Sequence, residues 1–245
     1  MIRSALVTGA SRGIGRGIAE SLARQGFGLT ITSRKATDLD RLAEQLKGWG
    51  AADVVYQAAD LADRAALPAL VELHGAAYGA MNALVVNAGV GTAGNVADFP
   101  LARVDKILEV NLVSAVVLIQ GALPLLRLGA EQDRDRGATI VGLSSITGAY
   151  AEPGLAVYGA SKAGLTALLN AVNLEESGGG VRATALAPAY VNTDMSAWTT
   201  DTIEPDYMIR VGDVVAVVDL LLSLGRSASI PSIVMTRSGT SGYEA

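Results

Sequence analysis

Short apolar runs alternate with stretches of helical periodicity along the chain. Residues 2–7 predict a strand and residues 13–25 a helix. A second strand over 28–32 leads into a charged, amphipathic helix over 37–49. A third strand, 54–58, precedes a helix over 63–78, with Asp63 placed to favour its N-terminus. A fourth strand at 83–86, a long apolar helix over 101–126 and a fifth strand at 139–143 follow. The pattern closes with a helix over 155–176, a strand at 181–187, a helix at 213–224 and a strand at 230–235. Such alternation predicts an α/β, doubly wound architecture, a seven-stranded parallel sheet with helices on both faces. In sheets of this kind the ligand lies at the carboxyl ends of the strands.

Composition narrows the picture without changing it. The 245 residues suit one domain over 1–245, and no internal repeat or composition break marks a second. Half the residues are hydrophobic and few are aromatic, which suits buried parallel strands. The net charge of −5, with both signs interspersed, argues against a nucleic-acid partner. There is no cysteine, so disulfides, thiol catalysis and thiolate metal sites are excluded, and no metal is expected. The first strand begins at once, which argues against a signal peptide, and the uncharged run 110–126 is better explained by a buried helix than a membrane span. A cytoplasmic protein is expected. His74 falls on the third helix, away from any candidate site. The segment 188–212 has no clear period and is long for a connection, as functional loops often are. The ending SGTSGYEA is expected to fray or to pack on a neighbour.

Chemistry enters at two places. TGASRGIG (residues 8–15) follows the first strand, and Gly9, Gly13 and Gly15 open the first helix. Glycines there let the backbone approach a pyrophosphate at a helix N-terminus, the Rossmann arrangement. The second strand ends in Ser33, Arg34 and Lys35 with no carboxylate, and Arg12 adds another cation. That charge favours the 2′-phosphate of NADP(H) over the free hydroxyl of NAD(H). The second place is VYGASKAG (157–164), where Tyr158 and Lys162 lie one helical turn apart. A cation near a phenol lowers its pKa and makes it a usable proton donor and acceptor. Ser145, at the end of the fifth strand, reads by itself as a turn or helix cap; the other reading is a hydroxyl that orients a substrate oxygen.

Together these motifs resemble the short-chain dehydrogenase/reductase family, in its conventional non-extended branch, over nearly the whole chain. TGASRGIG resembles the family's TGxxxGxG loop, Asp60 in DLAD the aspartate beside the adenine, and VNAG (86–89) the NNAG segment. Asn111, Ser145, Tyr158 and Lys162 match the catalytic tetrad, and Pro188 and Thr193 in APAYVNTDM resemble the PGxxxT segment along the nicotinamide. The resemblance implies cofactor contacts from Gly9, Ser11, Arg12, Gly13, Ile14, Gly15, Ser33, Arg34, Lys35, Asp60, Leu61, Asn87, Ala88, Gly89, Tyr158, Lys162, Pro188, Ala189, Val191 and Thr193. It implies reduction of a carbonyl (a ketone, an aldehyde or a 3-oxoacyl group), or the reverse. Tyr158 would be the proton donor or acceptor, Ser145 would hold the oxygen, and Lys162 would bind the ribose and lower the Tyr158 pKa. Asn111 would anchor a water. A homodimer or homotetramer is also implied, with a contact through Ala163, Leu165, Ala167, Leu168, Ala171 and Val172.

Four departures stand out. Val86 replaces an asparagine, Ala189 a glycine, the C-terminus lacks a glycine-rich ending, and the 188–212 substrate lid is short. The expected substrate wall comprises Ser145, Ile146, Thr147, Tyr150, Glu152, Pro153, Tyr158, Tyr190 and Trp198, facing Val90, Gly91 and Thr92. That mix points to a neutral, moderately apolar small-molecule carbonyl. The alternative function is a non-catalytic, NADP-binding redox sensor or interaction protein; a sugar-nucleotide epimerase would require an added domain that is not seen.

Overall fold

In a computed structural model, which describes residues 2–241, seven parallel strands form one sheet in the order β3-β2-β1-β4-β5-β6-β7. The strands are β1 (Ser4–Thr8), β2 (Gly28–Ser33), β3 (Asp53–Ala58), β4 (Ala83–Val86), β5 (Ala138–Leu143), β6 (Val181–Pro188) and β7 (Ser232–Met235). The helices are α1 (Gly13–Arg24), α2 (Ala36–Gly48), α3 (Leu67–Tyr78), α4 (Leu101–Leu108), α5 (Ser114–Gln132), α6 (Ala156–Glu176) and α7 (Val211–Ser223). The ending SGTSGYEA lies partly outside the described residues, at positions 242–245.

Strands β1, β4, β5 and β6 are buried throughout, as a parallel sheet covered on both faces requires. One apolar layer joins α1, α2 and α7 to the sheet through residues such as Ile18, Leu22, Leu39 and Val218. The opposite layer joins α3, α5 and α6 through Leu70, Leu118, Ile119, Leu165 and Leu169. The stretch Leu101–Gln132 is long and apolar enough, by length and composition, to cross a membrane. Its Val110, Leu118, Ala122 and Leu126 instead pack into this second layer.

The long helix departs from its expected outline. It runs past residue 126 to Gln132, and a π-helical turn, Glu109–Val113, separates α4 from α5. A π turn inserts a residue into the ladder, and here it carries Asn111 into the interior. The third helix also begins later than expected. Asp63 accepts from Ala65 N–H (3.1 Å) and caps a 3₁₀ turn, Arg64–Ala66, after which α3 starts. The aperiodic segment 188–212 holds 3₁₀ turns at Asp194–Thr199 and Pro205–Tyr207 and a parallel bridge between Val191 and Ile209.

His74 is fully buried where α3 crosses β1 and β2. Its Nδ1 lies 2.8 Å from Thr30 Oγ1, and its Nε2 lies 3.1 Å from both Ser4 Oγ and Ala80 O. Because Ser4 gives its own proton to Ala80 O (2.6 Å), Nε2–H is left as donor and Nδ1 as acceptor. Burial holds this imidazole down, from 6.5 to about 4. The apolar stripe of α6 is divided. Leu165 and Val172 are in the core, against the expectation of an intermolecular contact there, while Ala163, Ala167, Ala171 and Leu174 are exposed.

Candidate active site

The carboxyl ends of β1 to β6 open into a cleft of about 780 Å³. The glycine loop forms one end. Gly9 has φ +65°, a left-handed conformation suited to glycine, and a Cβ there would lie 2.9 Å from Asn87 Nδ2. Gly15 lies behind the wall, so close to Gly9 O and Asn87 Nδ2 that a Cβ would overlap both. Asn87 holds the loop by donating from Nδ2 to Thr8 O (2.9 Å) and Gly9 O (3.3 Å), while Thr8 Oγ1 accepts from Asn87 N (3.0 Å) and Ala88 N (3.1 Å). No side chain caps the N-terminus of α1, so its first N–H groups are open to an anion.

Ser33, Arg34 and Lys35 line the same end, with Asp60, Leu61, Asn87, Ala88 and Gly89 further along. Ser33 Oγ is buried and has no hydrogen-bond partner, a vacancy suited to a ribose substituent. These features fit a dinucleotide. Three charged wall residues lay outside the expected set, namely Asp38, Lys106 and Asp194. Asp60 accepts from Ala62 N–H (3.0 Å) and pairs with Lys106 (3.7 Å). Arg12 pairs with Asp194 at 2.9 Å across the cleft mouth, both well exposed, rather than standing free for a phosphate.

The other end brings Ser145, Tyr158 and Lys162 onto one wall. Thr147 Oγ1 donates to Ser145 Oγ (2.9 Å), and the Ser145 hydroxyl, beside that of Tyr158, favours the phenolate and opposes part of the effect of burial. Lys162 Nζ donates to Leu143 O (2.7 Å) and lies 5.7 Å from the Tyr158 ring centroid. Burial dominates both groups. The Tyr158 phenol is pushed up to about 12, not down as the spacing alone suggested, and the Lys162 amine falls from 10.5 to about 8.

Asn111 does not reach the cleft. Its side chain is buried and bonds Val90 and Ser161. Tyr150 also falls outside the wall and packs against the core cluster containing Leu143 and Ile146. Tyr190 does line the cleft. It donates to Glu152 Oε1 (3.0 Å) and meets Trp198 edge-on at 6.0 Å. Burial and the Glu152 charge hold its phenol well above the ordinary value. Pro188, Ala189, Val191 and Thr193 complete the wall with Ser11, Arg12, Gly13 and Ile14. Ala189 keeps an ordinary backbone, since no described residue other than glycine has positive φ. Val86, in place of an asparagine, packs into the apolar layer beneath. Among the described residues no group of three or more His, Asp or Glu side chains is placed to hold a metal.

The short chain dehydrogenase pattern matches residues 3–204. The chain belongs to the short chain dehydrogenase family. A short chain dehydrogenase is an oxidoreductase, and this chain's relatives include 3-oxoacyl-(acyl-carrier-protein) reductase of Staphylococcus aureus. That protein is 31% identical over 212 residues, 86% of this chain and 83% of the relative. Among solved structures, 3-oxoacyl-(acyl-carrier-protein) reductase from Brucella melitensis in complex with NAD superposes with a TM-score of 0.85. It is 30% identical, over 96% of this chain and 95% of that one. An alcohol dehydrogenase from Thermococcus sibiricus with 5-hydroxy-NADP shares the fold, with a TM-score of 0.87 at 23% identity over 98% and 97% of the two chains.

Proposed function

We propose that this short chain dehydrogenase reduces a neutral ketone, aldehyde or 3-oxoacyl thioester to the alcohol with NADPH, or runs the reverse. The observation that carries the reading is the convergence of Ser145, Tyr158 and Lys162 on a cleft whose other end is the glycine loop. When bound, the nicotinamide supplies the hydride. Tyr158, protonated at neutral pH by virtue of its burial, donates a proton to the developing alkoxide. Ser145, polarised by Thr147, holds that oxygen with a directed O–H. Lys162 sets its charge beside the ring and holds the ribose hydroxyls.

The cofactor choice rests on Arg34, Lys35 and the unpartnered Ser33 hydroxyl, which suit a 2′-phosphate. Asp38, in the first turn of α2, offsets part of that charge. The segment 188–212, with Trp198 exposed at the mouth, acts as the substrate lid. A cytoplasmic homodimer or homotetramer formed through the exposed face of α6 completes the reading.

The test is consumption of NADPH and of NADH by the purified protein across neutral ketones, 3-oxoacyl thioesters and free 3-oxo acids. Turnover with neutral carbonyls and a preference for NADPH is expected. Tight NADPH binding with no turnover of any carbonyl would instead make it a sensor.

A further inference from the structure

Ser161 is fully buried on α6, between the two reactive residues of that helix. Its hydroxyl donates to the Tyr158 carbonyl (2.7 Å) and accepts from Asn111 Nδ2 (2.9 Å). The same Nδ2 donates to Val90 O (2.9 Å), and Asn111 Oδ1 accepts from Val90 N–H (2.8 Å). Both N–H bonds of the amide are therefore spoken for. Three segments distant in sequence meet at this point: the loop after β4, the π turn, and the turn of α6 that bears Tyr158.

That loop lies directly against the reactive groups. A Cβ on Gly91 would fall 3.2 Å from the Tyr158 ring, and one on Gly89 would fall 3.2 Å from Lys162 Nζ. Small displacements of the loop therefore change the space in which Tyr158 and Lys162 are set, and proton transfer is sensitive to such displacements. A helical serine bonded only to its own i−3 carbonyl would satisfy itself and do nothing more. The bond from Asn111 makes Ser161 different, because it ties α6 to Val90 through one side chain.

We propose that Ser161 is a positioning residue for the hydride-transfer site, holding the 87–91 loop against Tyr158 and Lys162 through Asn111. It rests on the function proposed above, and it acts without lining the cleft itself. Ser161→Ala deprives Asn111 of its acceptor on α6 and leaves a buried N–H unmatched.

The experiment measures amide hydrogen exchange and steady-state kinetics for Ser161→Ala, Asn111→Ala and the double variant. In Ser161→Ala the Val90 amide exchanges about tenfold faster and kcat falls about tenfold, with the cofactor KM within about twofold of wild type. The Val85 amide, in β4, is unchanged. On the Asn111→Ala background the serine change lowers kcat by less than about twofold, because the two residues act as one unit. Val90 exchange at the wild-type rate, or a kcat effect that multiplies in full on that background, would overturn the proposal. If no carbonyl turns over at all, the hydride-transfer function fails while Val90 exchange still decides whether the tie exists.

Discussion

Tyr158 and Lys162 share a helical turn, and burial moves them in opposite directions, the phenol to about 12 and the amine to about 8. The proton-donating form of Tyr158 therefore persists across the neutral range, while Lys162 loses its charge first as the pH rises. The kcat/KM for carbonyl reduction should hold through neutrality and decline above about pH 8, and Lys162→Met should abolish that inflection. A pH–rate profile of both proteins checks this. Tyr158→Phe should keep NADPH affinity, read by titration, and lower kcat by about 10²–10⁴-fold. Gly15→Ala places a methyl group on Gly9 O and Asn87 Nδ2, so calorimetric titration should show cofactor binding lost and thermal scans a lower Tm. The Tyr158–Lys162 pair was visible in the sequence because one helical turn fixes it. The ties of Arg12 to Asp194 and of Asn111 to Ser161 were not, because no local pattern reports a pairing across 182 or 50 residues. Nor does spacing reveal burial, which is why the direction of the Tyr158 shift had to come from the fold.

Periodicity recovered the strands and most of the helices, since each buries one stripe against the sheet. It missed the π turn Glu109–Val113, whose apolar pattern runs on from α4 into α5 without a break. Tyr150, expected on the substrate wall with Ser145, packs on the core instead, because neighbours in sequence need not face the same way. On α3, His74 carries a consequence for stability. Its folded pKa of about 4 lies below the ordinary 6.5, so the unfolded chain takes up the proton first as the pH falls. Stability is full above pH 6.5 and is lost between there and about 4, by about 3 kcal/mol in all. Urea unfolding at stepped pH should show that slope, and His74→Gln should flatten it.

For the molecule as a whole, the seven-stranded parallel sheet and the cleft at its carboxyl edge were visible in the βα alternation, whereas the strand order came from the structure; family membership over residues 3–204 agrees with both. The assembly was less visible, because sequence alone does not divide α6 into its core side (Leu165, Leu169, Val172) and its exposed side. The exposed Ala163, Ala167, Ala171 and Leu174 form a narrow stripe of small and apolar side chains suited to a two-fold contact. Light scattering should report a dimer or tetramer at micromolar concentration, and Leu174→Glu should shift it toward monomer. A wild-type monomer would remove this stripe from the reading.

The central position of β1 bears on how the chain comes to be made. Strand β1 is made before both of its neighbours: it pairs with β2 on one side, but its other edge waits for β4, whose register begins at Ala5 opposite Ala83. The amide of Ser4 likewise waits for Asn82 Oδ1, 78 residues later. Until that much has been synthesised the nascent protein exposes an open apolar edge, and such long-range closures make parallel sheets slow to form and prone to stick to one another. Fragments ending before residue 82 should therefore associate with chaperones, and full-length material should refold best when dilute.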